Sequence, residues 1–149
     1  MFKKIVCGMM VLMLAVGCSS EHEKKLGSLN EIGASQVLRD IEDKKDMILV
    51  ISTSTCESCI EYVALINDYI KENKVDFNLV EIDSEPIIKD DQGEESRPSF
   101  LELEEKIGTI SLTPTTFFIK NGEIINIVSG VNGYEDLVKA VEDNGFIKS

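Results

Sequence analysis

Six consecutive residues without a charge, Met47 to Ser52 (MILVIS), run almost directly into Cys56-Glu57-Ser58-Cys59. Val63, Ile66 and Ile70 then recur at helical spacing. A strand with one face in water alternates apolar and polar residues, so an uninterrupted apolar run marks a strand buried on both faces. Such a strand needs helices above and below it, which points to an α/β architecture. Val75 to Ile82 (VDFNLVEI) reads as a second strand, and the helix joining it to the first makes the two parallel.

The other elements agree. Ser35 is placed to cap a helix running to about Lys45, with Val37, Leu38 and Ile41 on one face. Residues 84–96 are rich in acid, Gly and Ser and read as loop. Pro98 suits the first turn of a short helix whose apolar side is Phe100, Leu101, Leu103 and Ile107. Thr115 to Lys120 and Glu123 to Val128 flank Asn121-Gly122, a strong short-range hairpin signal. Asn132 and Glu135 have capping-box spacing at the start of a final helix that would bury Leu137, Val138 and Val141. With 149 residues the chain holds one domain, placed at 30–149 and large enough to fold without a disulfide scaffold.

The N-terminus reads as an address. Lys3 and Lys4 precede a thirteen-residue apolar run, Ile5 to Gly17, shorter than the roughly 20 residues a membrane-spanning helix needs. It ends in Ala15-Val16-Gly17-Cys18 followed by Ser19-Ser20, which resembles the lipobox of bacterial lipoproteins. The resemblance implies a signal peptide at 1–17, lipidation of Cys18 and a polar tether at 18–29. An ordinary secretory signal with Cys18 as a free thiol is the alternative. On the lipoprotein reading the protein sits in the cell envelope, lipid-anchored and facing outside the cytoplasm, where disulfides persist. Acidic residues outnumber basic ones 27 to 15, for a net charge of −12, so nucleic acid is a poor partner.

Chemistry centres on Cys56 and Cys59. A thiolate is the reactive form of cysteine, and the free N–H groups and dipole of a helix N-terminus stabilise it. Spacing of three residues puts both sulfurs on one helix face, within bonding reach. Cys56 is the more exposed attacking sulfur and Cys59 the resolving one. Half of a zinc site has the same spacing, but Cys7 leaves with the signal, Cys18 is capped, and the sole histidine, His22, lies in the tether. No metal is therefore expected. A purely structural disulfide would close a loop too short to add much stability.

From about Met47 to Ile147 the chain resembles the thioredoxin family. The resemblance rests on the strand-CxxC-helix unit, on Val80-Glu81-Ile82-Asp83, and on Thr113-Pro114-Thr115 before the hairpin. It implies a thioredoxin-like fold, with a mixed central sheet and flanking helices. It also implies a cis Pro114 lying against the CxxC sulfurs, and a Thr113 backbone that pairs with substrate. Three features depart from the family: Thr55 stands where Trp is usual, Val50 replaces the buried acid, and Glu57-Ser58 replaces Gly-Pro. The stretch from Asp83 to Ile107 is also longer, which together with the lipobox is similar to extracytoplasmic thioredoxin-like proteins, including accessory proteins of bacteriocin maturation.

The expectation is a membrane-anchored thiol–disulfide oxidoreductase without a dissociable cofactor. Its implied partners are protein thiols or disulfides outside the cytoplasm and a membrane electron donor. Glu57 and Ser58 modulate the pair. A carboxylate beside the sulfur disfavours the thiolate, which points to a reductase or isomerase rather than a strong oxidase. The rival reading is a thioredoxin-fold lipoprotein that binds a partner without catalysis.

Overall fold

The apolar run becomes β2 (Met47–Ser52), buried at every position in the computed structural model, which describes residues 25–130 and 132–147. In chain order the elements are β1 (Ser28–Glu31), α1 (Ala34–Glu42), β2, α2 (Glu57–Glu72), β3 (Asp76–Glu81), β4 (Ile88–Lys89), β5 (Glu95–Ser96), α3 (Pro98–Ile107), β6 (Thr115–Lys120), β7 (Glu123–Ser129) and α4 (Tyr134–Asp143). A short 3-10 turn, Ile82–Ser84, follows β3.

β2 divides its side chains between two cores. Met47, Leu49 and Ile51 meet Phe117, Ile119 and the inner faces of α1 and α3. Ile48 and Val50 meet Phe77, Leu79, Phe118 and the inner faces of α2 and α4. The period of two along a strand sends alternate residues to opposite faces, and a helical layer covers each. Every fully buried Ile or Phe contributes roughly 1.5–3 kcal/mol, so the central strand has no position to spare for charge.

The sheet order is β1-β3-β2-β6-β7. β1, β3 and β2 are parallel, while β6 is antiparallel to β2 and β7 to β6, so the sheet is mixed as expected. This topology builds the site. The ends of β2 and β3 share one edge, with Ser52 opposite Glu81, and the start of β6 joins them there, with Thr115 opposite Ile51. The hairpin turns at the other edge. Asn121 and Gly122 both take positive φ, and a Cβ on Gly122 would collide with the Ile41 carbonyl oxygen.

Several local expectations change. β1 is an edge strand without strand-like sequence (SLNE), and the two last residues of the expected tether, 28 and 29, belong to it. The chain is already tied to the domain at Leu26, whose N–H donates to the Ile70 carbonyl. Ser35 does not cap α1. Gly33 holds that position, and the Glu85 carboxylate, 6% exposed, accepts the Ala34 N–H at 2.7 Å. A side chain 51 residues away replaces the local cap. Residues 84–96 are not all loop, because β4 and β5 form a small antiparallel pair joined by the Lys89–Glu95 ion pair. Leu101 is exposed rather than on the buried side of α3. α4 starts one residue after Gly133, and the capping box from Asn132 does not form.

Candidate active site

β2 ends at Ser52, and three residues carry the chain to Cys56, the N-cap of α2. The sulfur itself caps the helix. Its Sγ accepts the Cys59 backbone N–H at 3.3 Å, a bond usually made by a Ser or Asp oxygen. The Ser58 hydroxyl lies 3.2 Å from the same sulfur, and the Thr113 carbonyl oxygen lies 3.6 Å away, where the Cys56 thiol donates to it. Both cysteines are free thiols, Cys56 partly exposed and Cys59 buried.

The side chains of Cys59, Ser58 and Thr113 and the Cys59 backbone N–H together lower the Cys56 pKa to about 7. The hydrogen bond from the Cys59 side chain is the largest cause and the Ser58 hydroxyl the next; partial burial opposes them, and the Thr113 side chain and the Cys59 N–H add smaller lowering contributions. A pKa of about 7 leaves roughly half of the sulfur as thiolate at neutral pH. It also lies at the upper end of the range of about 3.5–7.5 for activated cysteines, where reducing CxxC pairs are found. Glu57 is the first residue of α2 and is exposed.

The Thr113–Pro114 peptide bond is cis, and this loop faces the sulfur. Local bonds fix its shape. The Thr115 hydroxyl donates to the Leu112 carbonyl at 2.7 Å, and the Gly130 N–H donates to the Pro114 carbonyl at 2.9 Å. Cys56, Ser58 and Cys59 from one segment and Thr113 and Pro114 from another, with Cys56 and Thr113 57 positions apart, therefore meet at one edge of the sheet. Cys18 lies outside the described residues, as do Cys7, His22 and the expected signal peptide.

Two supports were not anticipated as such. Asp83, just past β3, holds the loop before the sulfur: its two carboxylate oxygens accept the Ser54 N–H at 3.0 and 3.2 Å, and the Ser54 hydroxyl donates to one of them. The Ser54 hydroxyl above all, then its N–H, holds the Asp83 carboxyl below its ordinary range, with a further contribution from Arg97. The second support is Tyr62, whose hydroxyl lies 2.9 Å from Thr116 Oγ1. Both residues are buried, and the bond ties the CxxC helix to the strand that follows Pro114. The sequence carries a signal for the first in the Asp that ends VEID, and none for the second, since a lone Tyr does not name its partner.

Beside the sulfur a groove of about 590 Å³ runs between α2 and the loops that lead into β6 and α4, with Ser58, Leu65, Leu112, Pro114 and Gly130 among its walls. A polarised, accessible sulfur with a second thiol one helical turn away can exchange thiols with a disulfide that enters this groove.

Comparison with known proteins agrees with this geometry. A family model described as a thioredoxin-like domain matches residues 38–145. No curated protein matches the chain. Among solved structures, a putative oxidoreductase with a thioredoxin fold is similar at 18% identity over 75% of this chain and 92% of its own, with a TM-score of 0.55. A mutant thioredoxin from Halobacterium salinarum NRC-1 matches at 12% identity over 85% and 96%, TM-score 0.59. A thioredoxin from Malassezia sympodialis matches at 20% identity over 84% and 97%, TM-score 0.60. Identities this low speak for the fold alone. The family match spans well over half of the chain and includes the sulfur pair, the cis proline and the hairpin, so the chain belongs to the thioredoxin-like family.

Proposed function

We propose that this protein is a lipid-anchored, extracytoplasmic thiol–disulfide oxidoreductase working as a reductase or isomerase. The observation that carries the catalytic part is the capped Cys56 sulfur, held by Cys59, Ser58 and Thr113 at the mouth of the groove. In the reductive direction the Cys56 thiolate attacks one sulfur of a substrate disulfide. The substrate S–S bond breaks, one substrate sulfur leaves as thiolate, and a mixed disulfide forms. Cys59 then loses its proton to solvent and attacks Cys56 Sγ, and the second substrate sulfur leaves. The substrate gains two electrons and two protons, and the protein is left with a Cys56–Cys59 disulfide. A dithiol donor in the membrane would return it to the reduced state. The reducing or isomerising direction is supported by a Cys56 pKa of about 7. The envelope location rests on the resemblance of Ala15-Val16-Gly17-Cys18 to a lipobox.

Trapping tests the roles. In the full chain, Cys59→Ser should accumulate mixed disulfides through Cys56 with envelope proteins, visible as adducts that dithiothreitol releases. Cys56→Ser should form none and should lose exchange. Adducts through Cys59 in the Cys56→Ser chain would reverse the assignment, and no exchange in the unmodified chain would end the catalytic reading.

A further inference from the structure

We infer that the substrate segment entering the groove carries a basic residue near its reactive cysteine, and that Glu61 selects it. This rests on the proposed exchange activity and names its substrate class.

The groove wall on α2 is formed by Ser58, Glu61 and Leu65, the opposite wall by Leu112 and Pro114. Among the described residues, Glu61 is the only charged one on its walls. It lies about one helical turn beyond Ser58, whose hydroxyl is 3.2 Å from the Cys56 sulfur. The side chain is exposed, and no described residue forms an ion pair or hydrogen bond with it. No described lysine or arginine lines the groove with it. Lys44, Lys45, Lys74 and Lys120 sit where β2 and β3 begin and β6 ends, the edge of the sheet opposite the sulfurs, and Lys71 lies in the last turn of α2 at that same pole. Glu57 at the start of α2, and Glu135 and Asp136 in the first turn of α4, add negative charge at the sulfur end.

The groove therefore offers apolar surface, from Leu65, Leu112 (67% exposed) and Pro114, and one unpartnered carboxylate. The complementary ligand is a cysteine-containing segment with a Lys or Arg a few residues from the reactive sulfur and an apolar neighbour. A partly exposed ion pair changes affinity by a factor of about two to five, and exchanging attraction for repulsion roughly doubles the effect on a logarithmic scale. Charge complementarity of this kind acts mostly on encounter and fades with salt. It belongs in kcat/KM at low ionic strength.

The experiment uses three synthetic peptides, each closed by one internal disulfide and identical except for Lys, Gln or Glu two residues from one cysteine. The full chain, in a non-ionic detergent with dithiothreitol as the dithiol donor, is assayed for their reduction beside the neutral disulfide of 2-hydroxyethanethiol. Each turnover converts one peptide disulfide to two thiols and one dithiothreitol to its cyclic disulfide. The expected order of kcat/KM is Lys over Gln over Glu, spanning roughly five-fold or more at low salt and narrowing at high salt. Glu61→Gln should flatten the order and Glu61→Lys reverse it, both with unchanged reduction of the neutral disulfide. Equal kcat/KM for the three peptides, or an order that survives Glu61→Gln, overturns the inference while leaving the exchange activity standing. Failure to reduce even the neutral disulfide overturns the activity and the inference together.

Discussion

At the scale of single residues, the site works because small groups around one sulfur favour its charged form. Thiolate fraction rises with pH through about 7, so alkylation of Cys56 by iodoacetamide should reach half its maximal rate near there. Ser58→Ala removes a hydroxyl 3.2 Å from the sulfur and should move that midpoint up by about one unit; an unchanged midpoint would remove Ser58 from the account. Asp83 has the opposite pH signature. Its folded pKa is depressed, so its contribution to stability is present above the ordinary carboxylate pKa and lost as pH falls through the lowered folded value. The melting-temperature gap between the natural chain and Asp83→Asn should therefore close as pH is lowered from neutral towards about 3. The sulfur pair was legible in the sequence because three-residue spacing after a buried strand is a local pattern. Of the strap from Asp83 to Ser54 only the Asp that ends VEID was legible; its partner was not, because the bond joins positions 29 residues apart that only the parallel pairing of β2 and β3 brings to one edge.

At the scale of elements, long-range partners replaced local ones. Sequence spacing favoured Ser35 as the cap of α1, yet the buried Glu85 carboxylate does the work. Glu85→Ala should destabilise the fold by about 1–2 kcal/mol in denaturant melts and Ser35→Ala by much less; the reverse ranking would restore the local cap. The brace between α2 and β6 is a second case. Tyr62→Phe leaves the Thr116 hydroxyl buried without its partner and should cost about 1–2 kcal/mol, whereas adding Thr116→Val should cost little more. Fully additive losses would mean that the two hydroxyls are not coupled. β2, α2, α3 and the β6–β7 hairpin were legible because apolar period, Pro98 and Asn121-Gly122 are local signals. β1, β4 and β5 were not: they are four or two residues long and mostly exposed, so no apolar period marks them.

For the whole molecule, the topology converts chain order into a site. Parallel strands place the starts of α2 and α1 at the same edge, and the antiparallel β6 returns Pro114 to it. The fold class was readable because a two-face buried strand leaves few architectures open. The envelope anchoring proposed for the chain predicts that Cys18→Ser releases the protein from membranes or leaves it unprocessed; a processed, membrane-bound Cys18→Ser chain would contradict it. The central claim is that Cys56 and Cys59 act as one two-electron couple. It is tested most directly by equilibrating the full chain across a series of dithiothreitol redox buffers, quenching with iodoacetamide and weighing the products. The account predicts that the two thiols vanish together along a single two-electron curve and return on reduction, with the fold unchanged. Two thiols that remain alkylatable at the most oxidising end, or that are lost one at a time, would contradict it.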